Sequence, residues 1–260
     1  MIDVVQPPTR WTVGLVGLEG RVNPGQAIAI DAEGRAHVAW TQGPRARPKA
    51  MLSSRSQSAD GPEWVSREVH PGAADSDDAA IAADPGGALH LVWTARSAPR
   101  GSRWLLYARS DDQGRRWSEP EILQDPRRFG SASEPQLAID EGGFLHVAWQ
   151  SAATREQPGR VWYSTRSLGQ PFLPPVQLNQ SERGARKARL SAQGSALGTL
   201  AVAWLDARDA REGETREELY VGLVLDGGRE IWDQRVTFSG DAEEGGEEHE
   251  GAIHRSCFRC

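Results

Sequence analysis

Cysteine is nearly missing from this chain. Only Cys257 and Cys260 occur, both in the closing "SCFRC". That count excludes the disulfide framework of a small secreted domain. A zinc site needs further ligands at regular spacing, and His249 and His254 do not complete such a pattern. The pair is read as incidental, with no metal and no cofactor expected. Long apolar runs are missing too, so no membrane-spanning helix is expected. The opening "MIDVVQPPTRW" lacks the basic and apolar regions of a signal peptide. Positive charge is in deficit: 30 Lys and Arg stand against 36 Asp and Glu, for a net charge of -6. Phosphate binding needs a basic face, so nucleic acid is not an expected partner. Three Tyr and five Phe are few beside ten Trp. The imbalance implies one packing role filled repeatedly by Trp.

What is present is a repeat. A chain of 260 residues can bury one large core, and 28 Gly with 16 Pro suit a turn-rich fold rather than a helical bundle. Four segments align: "AIAIDAEGRAHVAW" (27–40), "AIAADPGGALHLVW" (80–93), "QLAIDEGGFLHVAW" (136–149) and "RLSAQGSALGTLAVAW" (189–204). Their last residues, Trp40, Trp93, Trp149 and Trp204, lie 53, 56 and 55 residues apart. Each unit reads as an apolar run, an Asp/Gly turn and a second run ending in Trp, which is a hairpin signature. A third run follows, such as "WLLYARS" (104–110), and then a fourth, such as "WSEPEIL" (117–123). Four strands per unit of this length predict a β-propeller blade. The fold class is therefore all-β, with antiparallel four-stranded blades.

One stretch joins the third and fourth runs of its unit. In "YARSDDQGRRWSEPEIL", Ser110, Asp112, Gly114 and Trp117 fit S-x-D-x-G-x-x-W. Gly114 permits a positive φ, and Ser110 and Asp112 can bond nearby backbone and close the turn. Trp117 supplies an apolar plug beneath the hairpin. None of these roles needs a substrate. The motif resembles the Asp-box, or bacterial neuraminidase repeat, of sialidase-like propellers. Weaker copies end at Gly61 and Trp64, keep Gly169 with Phe172, or keep Asp226 and Gly228 with Trp232 displaced. The resemblance implies a propeller that acts on or binds glycans, in a secreted or periplasmic protein. Sialidases hold a substrate carboxylate with three arginines and use a Tyr–Glu nucleophile with an Asp acid/base. The Arg-Ile-Pro type motif is absent here. Tyr107, Tyr163 and Tyr220 all fall in third strands, a recurring position that argues for packing. No catalytic residue is carried over.

Phasing the repeat predicts full blades at about 26–69, 79–123, 135–178 and 188–238, in one domain over 1–260. Partial strands are expected in 1–25, where Trp11 opens "WTVGLVGL", and in 239–260, where "EGAIHRS" (250–256) aligns with a first strand. The chain is read as an incompletely closed ring or a piece of a longer protein. One end of the blades carries short Asp/Gly turns and the boxed motif. The other carries longer, variable loops, where binding residues are usually displayed. At that end Asp78, Glu134, Lys187 and Glu250 precede the inner strands and should surround the channel mouth. With Arg186 and Arg208 they make Asp78, Glu134, Arg186, Lys187 and Arg208 the candidate ligand-binding set, for a carbohydrate or small anionic ligand. His37, His90 and His146 stand three residues before each repeat Trp, one per blade, and are read as structural rather than as a metal set. The acidic run 240–251 has no defined calcium pattern and reads as a solvated loop. Three functions follow in order: a glycan-binding sialidase-like propeller, an exo-sialidase-type hydrolase, and a structural or interaction propeller.

Overall fold

The computed structural model describes residues 20–21, 27–43, 47–58, 61–70, 75–96, 101–154, 157–179, 182–192, 200–211, 214, 216–237 and 254–257. Four antiparallel sheets follow one another along the chain. The first contains β1 (Gly20–Arg21), β2 (Ile28–Ile30), β3 (Ala36–Gln42), β4 (Lys49–Ser58) and β5 (Gly61–Glu68). The second contains β6 (Ser76–Ala83), β7 (Leu89–Ala95), β8 (Trp104–Ser110) and β9 (Glu121–Gln124). One helical turn, α1 (Pro126–Phe129), leads to the third: β10 (Ala132–Ile139), β11 (Phe144–Ser151), β12 (Arg160–Ser167) and β13 (Val176–Gln177). The fourth holds β14 (Ala185–Ser191), β15 (Leu200–Asp206), β16 (Glu218–Leu225), β17 (Glu230–Arg235) and β18 (His254–Cys257). Each sheet is a meander of blade form in which consecutive strands pair. The inner strand of the first sheet is split, with β1 and β2 both pairing with β3.

Asp/Gly turns start the first three meanders. The Asp31 carboxylate accepts hydrogen bonds from the amides of Glu33 and Arg35 at 3.0 and 2.9 Å. Asp84 accepts from Ala88 at 2.9 Å, and Asp140 from Phe144 at 2.8 Å. The second oxygen of each acid reaches the repeat histidine. His37 Nε2 lies 2.9 Å from Asp31, His90 Nε2 3.1 Å from Asp84, and His146 Nε2 3.2 Å from Asp140. The opposite ring nitrogen meets the third strand, at Ser54 Oγ (2.9 Å), Tyr107 OH (2.7 Å) and Tyr163 OH (2.8 Å) respectively. Turn, second strand and third strand are thereby pinned by one polar chain in each of the first three blades, whereas the fourth has Ala201 at the histidine position. The histidines do not converge on a shared point. Burial lowers the pKa of His90 and of His146, against the pull of Asp84 and Asp140, so both rings are held neutral. Burial pushes the Asp31 carboxyl up, but hydrogen bonds from His37 and Arg35 outweigh it and hold the acid below its ordinary value.

Each apolar cluster spans two neighbouring sheets. Trp93 joins Ala39 and Leu52 of the first sheet. Trp149 joins Val92, Leu105 and Tyr107 of the second. Trp204 joins Ala148, Val161 and Tyr163 of the third. All three indoles are fully buried, so Trp93, Trp149 and Trp204 each fill the space against the preceding sheet. Gly222 leaves room for this in the fourth sheet, since a Cβ there would sit 2.9 Å from the Trp204 ring.

The sheets stand side by side around one axis. β2 packs on β6, β6 on β10, and β10 on β14. All four border a central cavity of about 510 Å³ lined by Ile28, Ile30, Ala82, Ala138 and Leu190 among others. The described residues do not close the ring. The expected outer strand at Trp11 and the acidic run 240–251 lie outside the described residues. The expected new first strand at 250–256 is corrected in its described part. His254–Cys257 pairs with Asp233–Glu230 at the outer edge of the fourth sheet. An unpaired strand edge is a ready partner for an extended segment, and β17 supplies one. The fourth run at 117–123 is shorter than expected. Strand β9 starts at Glu121, because Ser118 is bonded back to Arg109 and Pro120 has no amide hydrogen to donate.

Candidate functional site

The boxed turn forms as its residue types demand. Ser110 Oγ donates to Asp112 Oδ1 at 3.0 Å and accepts from the Gly114 amide at 2.8 Å. Asp112 accepts from the Arg116 amide at 2.8 Å and from its Nε at 2.9 Å. These Arg116 contacts hold the Asp112 pKa down to about 2. Gly114 has φ of 76°, and Trp117 packs partly buried against the cluster holding Trp93 and Leu52. The turn is complete without a ligand and sits at the turn end of the blades.

The loop end differs. The inner strands of the second, third and fourth sheets each carry a register shift near their start, between Asp77 and Ala80, Ser133 and Gln136, and Arg186 and Arg189. At each bulge one non-glycine residue is left-handed: Asp78 (φ 53°), Glu134 (φ 47°) and Lys187 (φ 57°). Such a backbone costs about 1–2 kcal/mol per residue and persists only where neighbours enforce it. For Glu134 and Lys187 the neighbours belong to the preceding blade, whereas the Asp78 amide donates to Asp77 Oδ1 at 3.0 Å in its own. The Glu134 amide donates to Asp78 Oδ2 at 3.3 Å. The Lys187 amide donates to Gln150 Oε1 at 2.7 Å. Gln150 Nε2 donates in turn to Glu134 Oε1 at 3.3 Å and to Ser133 Oγ at 3.2 Å. A hydrogen-bonded relay therefore crosses three blades at the loop end of the inner strands, where the repeat phase predicts the channel mouth. Glu134 Oε2 has no hydrogen bond, and Arg189 Nη1 stands 3.6 Å from it. The Lys187 side chain is exposed, with no ion pair among the described residues.

A buried ion cluster supports the second blade at the same end. Arg103, 8% exposed, binds Asp75 Oδ1 at 2.8 Å and approaches Asp77 at 3.6 Å. Arg96 adds a 3.3 Å contact to Asp75, which is itself left-handed with φ of 59°.

Asp78, Glu134 and Lys187 are thus brought together as the repeat phase implies. Arg186 and Arg208 are engaged elsewhere. Arg186 is half exposed and forked onto Glu217, with Nε 2.7 Å from Oε1. Arg208 bridges Asp206 and Asp233 at 2.8 and 2.7 Å and lies 4.0 Å over the Tyr220 ring. With two carboxylates and an aromatic face, its guanidinium is already satisfied. Glu250 lies outside the described residues. Gln150 and Arg189 are the mouth residues that sequence reasoning missed. The available signal was Gln150 itself, a bifunctional amide directly after a repeat Trp. A second cavity, about 450 Å³, opens at the turn end between the third and fourth sheets beside Phe144 and Leu173, away from the bulges.

Solved structures resemble this arrangement. A protein of unknown function from Dyadobacter fermentans aligns with a TM-score of 0.55 and 11% identity, over 84% of this chain and 78% of its own. The Penicillium chrysogenum alpha-L-arabinanase complexed with arabinobiose aligns with a TM-score of 0.51 and 13% identity, over 85% and 73%. The GH93 alpha-L-arabinofuranosidase of Fusarium graminearum with arabinobiose gives 0.50 and 12%, over 92% and 79%. The likeness is one of fold. This chain shares with them an all-β, multi-bladed architecture. No family model matches the sequence. No curated protein matches it either.

Proposed function

We propose that this protein is a sialidase-like propeller that binds a carbohydrate at the loop-end mouth of its channel. The observation carrying this reading is the recurrence of a left-handed, non-glycine bulge residue in three successive blades, each with a polar side chain. Bulges and enforced strain of this kind gather at working surfaces. Asp78 and Glu134 offer acceptors for sugar hydroxyls. Lys187 and Arg189 offer donors for hydroxyls or a carboxylate, so a small anionic ligand suits the same rim. The Asp-box match at Ser110, Asp112, Gly114 and Trp117 supports the sialidase-like assignment. The Penicillium and Fusarium proteins were solved with arabinobiose, which supports a saccharide as ligand.

An array of neutral and carboxylated oligosaccharides tests the reading. The wild-type protein should bind a subset, and Glu134→Ala and Lys187→Ala should each weaken that binding. A folded protein that binds nothing on the array refutes it and leaves an interaction scaffold. A hydrolase is the second reading, favoured by the carboxylates of Asp78 and Glu134 on adjacent blades, since glycoside hydrolysis uses a pair of acids. Turnover of a fluorogenic sialoside or arabinofuranoside, abolished in Glu134→Ala, would establish it.

A further inference from the structure

We infer that Gln150 is the positioning residue of the mouth, setting a carboxylate on its own blade and an ammonium-bearing backbone on the next. The inference rests on the carbohydrate reading for its purpose but not for its geometry. The Gln150 amide has both donor and acceptor capacity, and it uses the two toward different blades. Its Nε2 holds Glu134 Oε1 at 3.3 Å and Ser133 Oγ at 3.2 Å. Its Oε1 holds the Lys187 amide at 2.7 Å.

Two consequences follow. Holding Oε1 of Glu134 restrains the carboxylate, and its buried Oε2 has no hydrogen-bond partner among the described residues. Arg189, at 3.6 Å, covers that oxygen without bonding it, so a ligand hydroxyl that displaces the guanidinium finds a formed acceptor. Capturing the Lys187 amide holds that residue left-handed, which aims its exposed side chain from the rim. Acceptor and donor come from different blades, and one amide sets the spacing between them. Thr94 follows the equivalent Trp93 in the second blade, and its hydroxyl donates to Asp77 O at 3.2 Å within that blade. The inter-blade role belongs to Gln150 alone among these equivalents.

Two variants separate its two functions. Gln150→Leu removes both. Gln150→Glu keeps an acceptor for Lys187 and replaces the donor to Glu134 with a repelling carboxylate. Native-state amide exchange, followed by NMR, reads the first. The Lys187 amide should exchange at least about tenfold faster in Gln150→Leu, and within about threefold of wild type in Gln150→Glu. Equal exchange in wild type and Gln150→Leu overturns the inference. Calorimetric titration with arabinobiose and with 3′-sialyllactose reads the second. Gln150→Glu should weaken binding of the probe that wild type takes by at least about tenfold, measured well below the melting temperature of the variant. Undiminished affinity in Gln150→Glu overturns the inference as well. If wild type binds neither probe nor any array sugar, the carbohydrate reading fails, and the exchange result alone decides whether Gln150 positions the rim.

Discussion

Replacing Gly114 by alanine tests whether the boxed turn is built into the packing between blades. Two costs add. The residue sits at φ of 76°, and an L side chain there costs about 1–2 kcal/mol. The new Cβ would also lie 2.0 Å from Leu52 Cδ2, a contact that forces the Leu52 side chain to move. Leu52 belongs to the buried cluster that receives Trp93, so overpacking adds about 1–3 kcal/mol. The expected total is roughly 3 kcal/mol, a fall in melting temperature of about 6–12 °C for a domain of this size. The partner variant Leu52→Ala should cost about 2–5 kcal/mol alone. In that background the clash has no target, so Gly114→Ala should cost only its backbone share. Urea unfolding followed by tryptophan fluorescence measures the cycle, with a coupling of roughly 1–3 kcal/mol expected. Costs that simply add, to within about 0.5 kcal/mol, would show that the turn does not press on the neighbouring blade.

Other outcomes follow from the same structure. Trp149→Ala should destabilise by about 3–5 kcal/mol in urea, and Trp117→Ala by clearly less, since its ring is only partly buried; the reverse order would refute the packing described. Asp75→Ala leaves the buried Arg103 guanidinium without its main partner and should cost about 3–5 kcal/mol by the same assay, with a loss below about 1 kcal/mol contradicting the ion cluster. Because burial lowers His90 and His146 below 6.5, the unfolded chain binds protons first as the pH falls. Their contribution is complete above about pH 7 and falls away through 6.5, with a limiting slope near 2.7 kcal/mol per pH unit for the pair. Urea midpoints from pH 8 to 5 check it, and a flat profile across 6.5 would refute neutral pins. The Asp112 contribution has a separate window, lost only as the pH falls from 3.8 toward about 2.

Much of this architecture was legible because it repeats. Four spaced tryptophans fixed the phase, and the phase placed the Asp/Gly turns, the strands and the three bulge residues. The structural role of His37, His90 and His146 followed from their equivalent positions, although their Asp, Ser and Tyr partners did not. Partners farther off were out of reach. Arg208 looked available in sequence because Asp233, which satisfies it, lies on β17 and meets it only once the fourth sheet is registered. Gln150 was silent because its partners Glu134 and Lys187 lie 16 and 37 residues away across bulges that shift the register. His254–Cys257 was assigned by alignment to a new blade, whereas backbone pairing at a free edge needs no sequence match.

The tryptophan packing has a direction. Each sheet covers the one before it, as a roof tile overlaps the row beneath. The two flanks of the arc are therefore unlike. On the fourth sheet Val221 and Leu223, 37% and 47% exposed, present a shallow aliphatic bed. On the first sheet the corresponding indole, Trp40, is buried, and its Nε1 donates to Ser53 Oγ of the same sheet at 2.8 Å, so that flank presents no free ring. The exposed bed on the fourth sheet is therefore the flank that could still seat an indole-like projection from a neighbouring element, while the indole of the first sheet is already covered.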